Sequence, residues 1–160
     1  MNKCFYFYEN TTLMKLSVGF RRATHFDIDF LLVLRKSTMT EHLKNAGFHF
    51  SNADHLNRVN EFFNDSHIIT NHKESVGLIK LGLLPNSIHI RQFQILPSFH
   101  RMGLGSYVIE VVKKKALEHK LPITLNVLLD NPAKTLYLRH GFHVEEQLKL
   151  EYKMRWDVEE

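Results

Sequence analysis

The sequence predicts an α/β (mixed α+β) fold in which a mixed, mostly antiparallel sheet of six or seven strands carries helices on both faces. Three β-rich runs separated by turn residues lie together in the middle of the chain, within residues 68–96. Two segments with the apolar spacing of helices precede these runs, and helices alternate with strands after them. The resulting order, β-α-α-β-β-β-α-β-α-β-β, is typical of one sheet covered by helices.

The first elements are a strand over residues 17–23 and two helices. Thr24 is placed to cap the first helix, with Asp27 three residues later in the capping-box position. Apolar residues then recur at three- and four-residue spacing, which predicts a helix over residues 25–46. A shorter helix is expected over residues 52–63.

The central β-rich runs are predicted to form an antiparallel meander. In the third run, Ile88 and Ile90 alternate in one phase, whereas Phe93 and Ile95 alternate in the other. A one-residue slip in a pattern of period two is what a β-bulge produces, so we expect a bulge between these pairs. The three predicted strands cover residues 68–71, 76–84 and 87–96.

The C-terminal half alternates helices and strands. An almost wholly apolar segment over residues 122–129 is predicted to be a central strand. Asn131 is a cap or first-turn residue of a short helix, and Pro132 suits the first helical position. The remaining elements are a helix over residues 103–120, the short helix over 131–140, and strands over 142–146 and 148–155.

The length of 160 residues predicts one domain, which we place at residues 14–160. Residues 1–13 are interpreted as a peripheral N-terminal extension. The alternative is an extra edge strand, because the aromatic residues of the segment Phe5–Tyr8 favour β structure.

The composition indicates the expected cellular location and the classes of partner that the protein is expected to bind. No apolar run is long enough for a membrane span, and the one cysteine, Cys4, excludes an internal disulfide, so we expect a cytoplasmic protein without membrane contact. The net charge of +4 suits a polyanionic small ligand. No nucleic-acid partner is expected, because cations and aromatics do not interleave in a recognisable motif. Eleven scattered histidines without a ligand motif predict no metal site.

A glycine-containing turn between a strand and a helix is the first candidate site. It reads His100-Arg101-Met102-Gly103-Leu104-Gly105-Ser106. Glycines let backbone N–H groups converge on a phosphate, with the positive end of a helix dipole behind them. The second candidate segment, Asn131–Phe142, places an amide, a lysine and the phenol of Tyr137 on one short helix. Together they predict a site for a long phosphorylated cofactor with a proton donor at its reactive end.

These two motifs resemble those of the GNAT superfamily of acyl-CoA-dependent N-acyltransferases. That family's loop reads Gln/Arg-x-x-Gly-x-Gly/Ala, and here His100 stands at the first position before Gly103 and Gly105. The second family motif has its counterpart in the segment that begins at Asn131 and contains Tyr137. A closing Tyr-x-Met, at residues 152–154, is also similar, and the likeness covers about residues 17–156. The neutral imidazole of His100 offers a pyrophosphate less than a guanidinium would.

The resemblance implies an N-acetyltransferase that moves the acetyl group of acetyl-CoA to a primary amine of a small molecule, peptide or protein. Acetyl-CoA would lie between two splayed central strands, with a backbone N–H near Ile95 or Leu96 polarising the thioester. Tyr137 would be the catalytic acid that protonates the CoA thiolate. The residues implied in cofactor binding are Gln94, Ile95, Leu96, His100, Arg101, Met102, Gly103, Leu104, Gly105, Ser106, Asn131, Lys134 and Tyr137.

The sequence leaves open the general base, the choice between enzyme and sensor, the acceptor and the oligomeric state. The general base is not singled out, and its candidates are Glu41 and His42, Asp54 and His55, or Gln92 and Gln94 through water. A non-catalytic acyl-CoA-binding sensor with the same fold is the alternative function. The acceptor is expected to contact residues 34–63 and the last strands, whose mixed charges exclude neither a cationic nor an anionic acceptor. Both a monomer and a homodimer remain open.

Overall fold

The computed structural model describes residues 3–9 and 12–159, with side chains from residue 16 onward. Within these residues one sheet of eight strands packs against four α-helices. The strands are β1 Lys3–Glu9, β2 Thr12–Arg22, β3 Ser66–Asn71, β4 Glu74–Leu83, β5 Ile88–Ile95, β6 Ile123–Leu128, β7 His143–Gln147 and β8 Glu151–Trp156. The helices are α1 Ile28–Asn45, α2 Asn52–Asn60, α3 Leu104–His119 and α4 Ala133–Arg139.

The strand order is β1-β2-β3-β4-β5-β6-β8-β7, and every neighbouring pair is antiparallel except β5 and β6. This arrangement confirms the mixed, mostly antiparallel sheet. The structure adds β1 to the seven strands predicted from the sequence. It pairs with β2 from Lys3↔Val18 to Glu9↔Thr12. This pairing corresponds to the extra edge strand, which was the alternative interpretation of the aromatic segment. The division into an extension and a domain stays a prediction.

Helices cover both faces of the sheet, because neighbouring strand residues point to opposite sides. On one face, α1 buries Leu31 and Leu34 against Ile68 of β3. On the other face, α3 packs into the larger core, which contains Ile69, the residue next to Ile68. At the start of α1, the Asp27 carboxylate accepts a hydrogen bond from the Thr24 backbone N–H at 2.8 Å, as the capping-box pattern predicts.

The predicted β-bulge is present in β5. Lys80 of β4 pairs with Gln92, whereas the next residue, Leu81, pairs with Ile90, so Arg91 is the extra residue on β5. The bulge changes which side chains face each side of the sheet, as the change of phase in the sequence indicated.

The central strands β5 and β6 are splayed. They pair over only three residues of each strand, from Ile88↔Ile123 to Ile90↔Leu125. Beyond these residues β5 remains paired with β4, and β6 remains paired with β8. The gap between β5 and β6 therefore exposes main-chain groups in the interior of the sheet.

Helix α2 ends at Asn60, three residues earlier than predicted, because a lysine binds its C-terminus. Lys80 is only 1% exposed. Its Nζ donates to the carbonyl oxygens of Arg58 at 3.2 Å, Val59 at 3.2 Å and Glu61 at 2.7 Å. The chain leaves helical geometry at Glu61, whose ψ is 122°, and Phe62 follows with a left-handed φ of 51°. A cation at this position satisfies carbonyls that lack helical partners and complements the helix dipole.

Replacing Lys80 with methionine is therefore expected to destabilise the protein. The variant keeps the length of the side chain but leaves three carbonyl oxygens without their donor. We expect a loss of about 3 kcal/mol in the free energy of unfolding, which lowers the Tm by about 6–12 °C in a chain of this size. Thermal and denaturant unfolding of both proteins measure this loss. An unchanged Tm would contradict the anchoring role.

The difference in the free energy of unfolding between wild type and Lys80→Met should depend on pH. Burial, and next the nearby Arg35 guanidinium, lower the pKa of Lys80 to about 8 from the ordinary 10.5. Between these values the unfolded chain holds a proton that the folded protein has lost, so the free energy of unfolding rises with pH. The advantage of wild type over Lys80→Met should grow from pH 8 to pH 10.5. A difference independent of pH would contradict this assignment.

Candidate functional site

Two cavities open where β5 and β6 separate. The larger, of about 780 Å³, is lined by the end of β5, by α1 and α4, and by five residues of the segment His100–Ser106, and we call it the loop cavity. The smaller, of about 480 Å³, is lined by Arg35, Arg58 and Arg91 among others, and we call it the arginine cavity. The cavities share six lining residues: Met39, Phe93, Gln94, Asn131, Ala133 and Tyr137. They therefore meet beneath α4.

The loop that leads into α3 presents backbone N–H groups to the loop cavity. Arg101 and Gly103 have left-handed backbone angles, with φ of 59° and 81°. The first hydrogen bond within α3 runs from the Tyr107 N–H to the Gly103 carbonyl at 3.0 Å. The preceding N–H groups, at residues 104–106, have no acceptor within the helix. These N–H groups and the left-handed turn before them have the geometry that favours an anion at a helix N-terminus.

The two glycines of this loop meet different surroundings. A Cβ added at Gly103 would have no atom of the described chain within 4 Å. A Cβ added at Gly105 would lie 3.1 Å from Cδ2 of Leu136 on α4. Gly103 is therefore required for the backbone angle and leaves the space beside it open, whereas Gly105 permits α3 to approach α4 closely.

His100 connects the loop to the end of β5. Its Nε2 lies 2.7 Å from the carbonyl oxygen of Ile95, so this nitrogen carries the proton and donates it. The ring also lines the loop cavity. With one nitrogen bound to main chain, the imidazole holds the loop against the strand.

The structure distinguishes between the two backbone N–H groups predicted near the thioester. The Leu96 N–H donates to the Val76 carbonyl at 2.8 Å and is therefore occupied. Hydrogen bonds alternate in direction along an antiparallel strand, so the N–H of Ile95 points away from β4 and into the gap beside β6. Of the two, only the Ile95 group is free to face a ligand there.

A chain of three side chains orients Ser106 at the wall of the loop cavity. His140 Nε2 lies 3.0 Å from Ser106 Oγ, and His140 Nδ1 lies 2.7 Å from Glu110 Oε1. Desolvation raises the pKa of Glu110, but hydrogen bonds from His140 and Lys113 outweigh it and leave the pKa below its usual value. Sequence reasoning did not identify His140 in this role. Ser106 and Glu110 are four residues apart on one helix face, and this spacing could have indicated that they share a hydrogen-bond partner.

Tyr137 lies at the junction of the two cavities. The residue is 5% exposed, and its ring packs against Phe142 with centroids 5.5 Å apart. Burial raises the pKa of Tyr137, so its phenol stays protonated at neutral pH. Asn131 caps α4 by accepting a hydrogen bond from the Ala133 N–H at 2.9 Å, which fixes the helix that carries the phenol.

Most of the predicted cofactor-binding residues line the loop cavity, but four lie elsewhere. Leu104 is fully buried in the main core, and Met102 packs against that core. Leu96 packs against the cluster beneath α1. Lys134 turns away from the loop cavity, with its Nζ 3.8 Å from the centroid of the Tyr152 ring. The residues brought together are Gln94, Ile95, His100, Arg101, Gly103, Gly105, Ser106, Asn131 and Tyr137.

The arginine cavity contains side chains that sequence reasoning did not assign. Arg35 is 5% exposed, and its Cζ lies 5.8 Å from the centroid of the Phe50 ring. Arg58 and Arg91 also line the cavity, and each has a carboxylate partner elsewhere in the chain. On the opposite wall, Glu151 accepts a hydrogen bond from Asn126 at 2.8 Å.

Of the six candidate bases, three line a cavity. Glu41, Asp54 and His55 line neither of them, whereas His42 lines the loop cavity. Gln92 and Gln94 line the arginine cavity, and the Oε1 atoms of both are buried without a hydrogen-bond partner among the described residues. These two oxygens are placed to hold a ligand group or a water molecule at the junction.

Neither a membrane-spanning helix nor a metal-binding cluster is found in the part of the chain that the structure describes. No helix in it is long and apolar enough to cross a membrane. No group of three or more His, Cys, Asp or Glu side chains in it is arranged to hold a metal ion.

Solved structures with the same fold are numerous. The PaiA N-acetyltransferase of Thermoplasma acidophilum, in complex with coenzyme A, has 16% identity and a TM-score of 0.69 over 89% of this chain and 99% of its own. Ard1 of Thermoplasma volcanium has 22% identity and a TM-score of 0.70 over the same shares. Arabidopsis thaliana Naa50, in complex with the bisubstrate analogue CoA-Ac-MVNAL, has 13% identity and a TM-score of 0.66 over 88% and 99%.

At the level of sequence, no curated protein shows significant similarity to the chain. The family model described as "Acetyltransferase (GNAT) domain" matches residues 36–156, which is well over half of the chain. This segment includes both motifs, the splayed strands and every lining residue of the two cavities except Arg35. The protein belongs to the GNAT family of acetyltransferase domains.

Proposed function

We propose that the protein is an N-acetyltransferase that moves the acetyl group of acetyl-CoA to a primary amine. The observation that carries this proposal is the meeting of two cavities at the protonated phenol of Tyr137. Two substrates in adjoining cavities would bring their reacting atoms together at this point, as direct transfer requires. A protein that only bound acyl-CoA would not need the second cavity.

The loop cavity has the donor groups that coenzyme A requires. The N–H groups of residues 104–106 and the Ser106 hydroxyl are suited to the pyrophosphate, and Arg139 lines the same cavity. The Ile95 N–H, the Gln94 amide and the Asn131 amide nitrogen are suited to the pantetheine arm. The similar fold of PaiA, which was solved with coenzyme A, supports this assignment.

When bound, acetyl-CoA supplies a thioester as the acyl donor. The Ile95 N–H would polarise the carbonyl and stabilise the charge that develops on its oxygen. As the amine nitrogen bonds to the carbonyl carbon and the C–S bond breaks, Tyr137 would give its proton to the sulfur. An alkylamine with a pKa near 10 must first lose a proton, at a cost of about 4 kcal/mol at pH 7. We assign the transfer of that proton to bulk solvent to a relay through water held by the Oε1 atoms of Gln92 and Gln94.

Coenzyme A is expected to stabilise the protein in a thermal melt. At a concentration 100-fold above its Kd, the gain should be about 2.7 kcal/mol, which raises the Tm by about 5–11 °C. A melt unmoved by millimolar coenzyme A would overturn the proposal. Thiol release from acetyl-CoA with a panel of primary amines then tests catalysis. Binding of coenzyme A without thiol release from any amine would favour the sensor function instead.

A further inference from the structure

Arg35 is a buried cation that forms no ion pair with any carboxylate of residues 16–159. It lies on α1, and Met39 and Leu43 follow it at intervals of four residues on the same face, which lines the arginine cavity. The residue is 5% exposed. Its Nε has no hydrogen-bond acceptor within the same residues.

The neighbouring arginines are paired. Arg58 lies 3.0 Å from the Glu61 carboxylate, and Arg91 lies 3.1 Å from that of Asp65. Burial, and next the charge of Arg58, lower the pKa of Arg35 to about 10, although the Glu61 carboxylate, which is paired with Arg58, acts in the opposite direction. The guanidinium is still charged at neutral pH. Burying a charge without a counter-charge opposes folding. An anion that arrives with a ligand would remove this penalty.

The rest of the cavity favours an anion as well. Its charged lining consists of Arg35, Arg58, Arg91 and Lys149 against one carboxylate, that of Glu151, which already accepts a hydrogen bond from Asn126. The walls beside Arg35 are apolar, with Phe48 and Phe50. A planar carboxylate matches the fork of a guanidinium better than a rounder anion, and an apolar wall strengthens such a pair.

We propose that the acceptor amine carries a carboxylate, which Arg35 binds in the arginine cavity. The proposal rests on the transferase function above and adds the chemical class of the acceptor. The surrounding cations also disfavour an ammonium ion in the same cavity, so they assist loss of the amine proton before transfer. Arg35 acts as a specificity-determining residue and takes no part in the proton transfers.

Binding of acetylated products tests the proposal without turnover. The probes are N-acetylglycine and N-acetylglutamate, each paired with the amide of its α-carboxylate, titrated into the protein saturated with coenzyme A. In at least one pair the carboxylate should bind about 10- to 100-fold more tightly than the amide, as expected for a hydrogen-bonded charge pair. Equal binding within both pairs, or no binding of any probe, overturns the proposal.

Three variants test whether Arg35 causes the preference for the carboxylate over the amide. Arg35→Met should abolish it, and Arg35→Lys, which keeps the charge without the fork, should retain part of it. Lys36→Met removes one positive charge from the adjacent, exposed position of α1 and should leave the preference intact. Arg35→Met should melt at the same or a higher temperature, because it removes an unpaired buried charge. A preference that survives Arg35→Met overturns the assignment.

Turnover of the free amines separates this proposal from the proposed function. The ratio of kcat/KM between glycine and glycinamide, and between glutamate and its α-amide, should follow the binding preference in wild type and vanish in Arg35→Met. Turnover of both members at equal rates would overturn the carboxylate assignment and leave the transferase function standing. Selective carboxylate binding without thiol release from any amine would overturn the transferase function and leave the Arg35 site standing.

Discussion

Replacing Tyr137 with phenylalanine is expected to slow acetyl transfer by about 10²–10⁴-fold, the usual cost of losing a general acid. The change removes only the phenolic O–H, so the packing of the ring against Phe142 should persist. Coenzyme A should bind about as well as before. The loss should therefore fall on kcat and not only on the KM for acetyl-CoA, which steady-state kinetics measure.

Tyr152→Phe is the matched control for this experiment. Tyr152 lines neither cavity, and its ring packs beneath the Lys134 ammonium. Removing its phenol should change kcat by less than about twofold. Single-turnover measurements prevent slow product release from concealing the chemical step. Full single-turnover activity of Tyr137→Phe would remove this residue from the catalytic mechanism.

The second large effect is expected from Gly103→Val. A β-branched side chain at φ of 81° is strained, and it would enter the open space beside the main chain that meets the phosphates. We expect the affinity for coenzyme A to fall about 100-fold, as for the loss of hydrogen bonds to a charged group. Calorimetric titration of the folded variant with coenzyme A measures this loss.

Gly47→Val is the matched control for Gly103→Val. Gly47, which follows α1, has φ of 89°, and an added Cβ there also meets no atom within 4 Å. Gly47 lines neither cavity, so Gly47→Val should cost comparable stability and leave the affinity for coenzyme A unchanged. Equal affinity losses in both variants would show that strain, and not the ligand contact, causes the effect at Gly103.

The features predicted from the sequence are those that local patterns determine. The alternation in β5 changes phase between Ile90 and Phe93, and the structure has its bulge there. The loop glycine and the position of Tyr137 also follow from motifs within short continuous segments, residues 100–106 and 131–142. Because these signals depend on neighbours in the chain, no knowledge of distant contacts is needed to interpret them.

The features that sequence reasoning missed depend on distant contacts. Arg35 was one of several mixed charges in a helical segment, and its burial without an ion pair among residues 16–159 follows only from the packing of α1 over the gap. Lys80 lies on a strand, yet it binds carbonyls about twenty residues away and ends α2 early. Lys134 has the right spacing for a phosphate contact, but the ring of Tyr152 on β8 holds it elsewhere.

The splay between β5 and β6 gives this sheet four borders instead of two. The outer borders are β1 and β7, and the inner two are the unpaired stretches of β5 and β6. An unpaired strand border binds any extended backbone that reaches it, which is the origin of edge-to-edge aggregation. Here α1 and α4 shield the inner borders, since both contribute lining residues to the cavities. An extended ligand bound in the gap would pair with these inner borders, so binding of the proposed acyl-CoA would also complete the hydrogen bonding of the sheet.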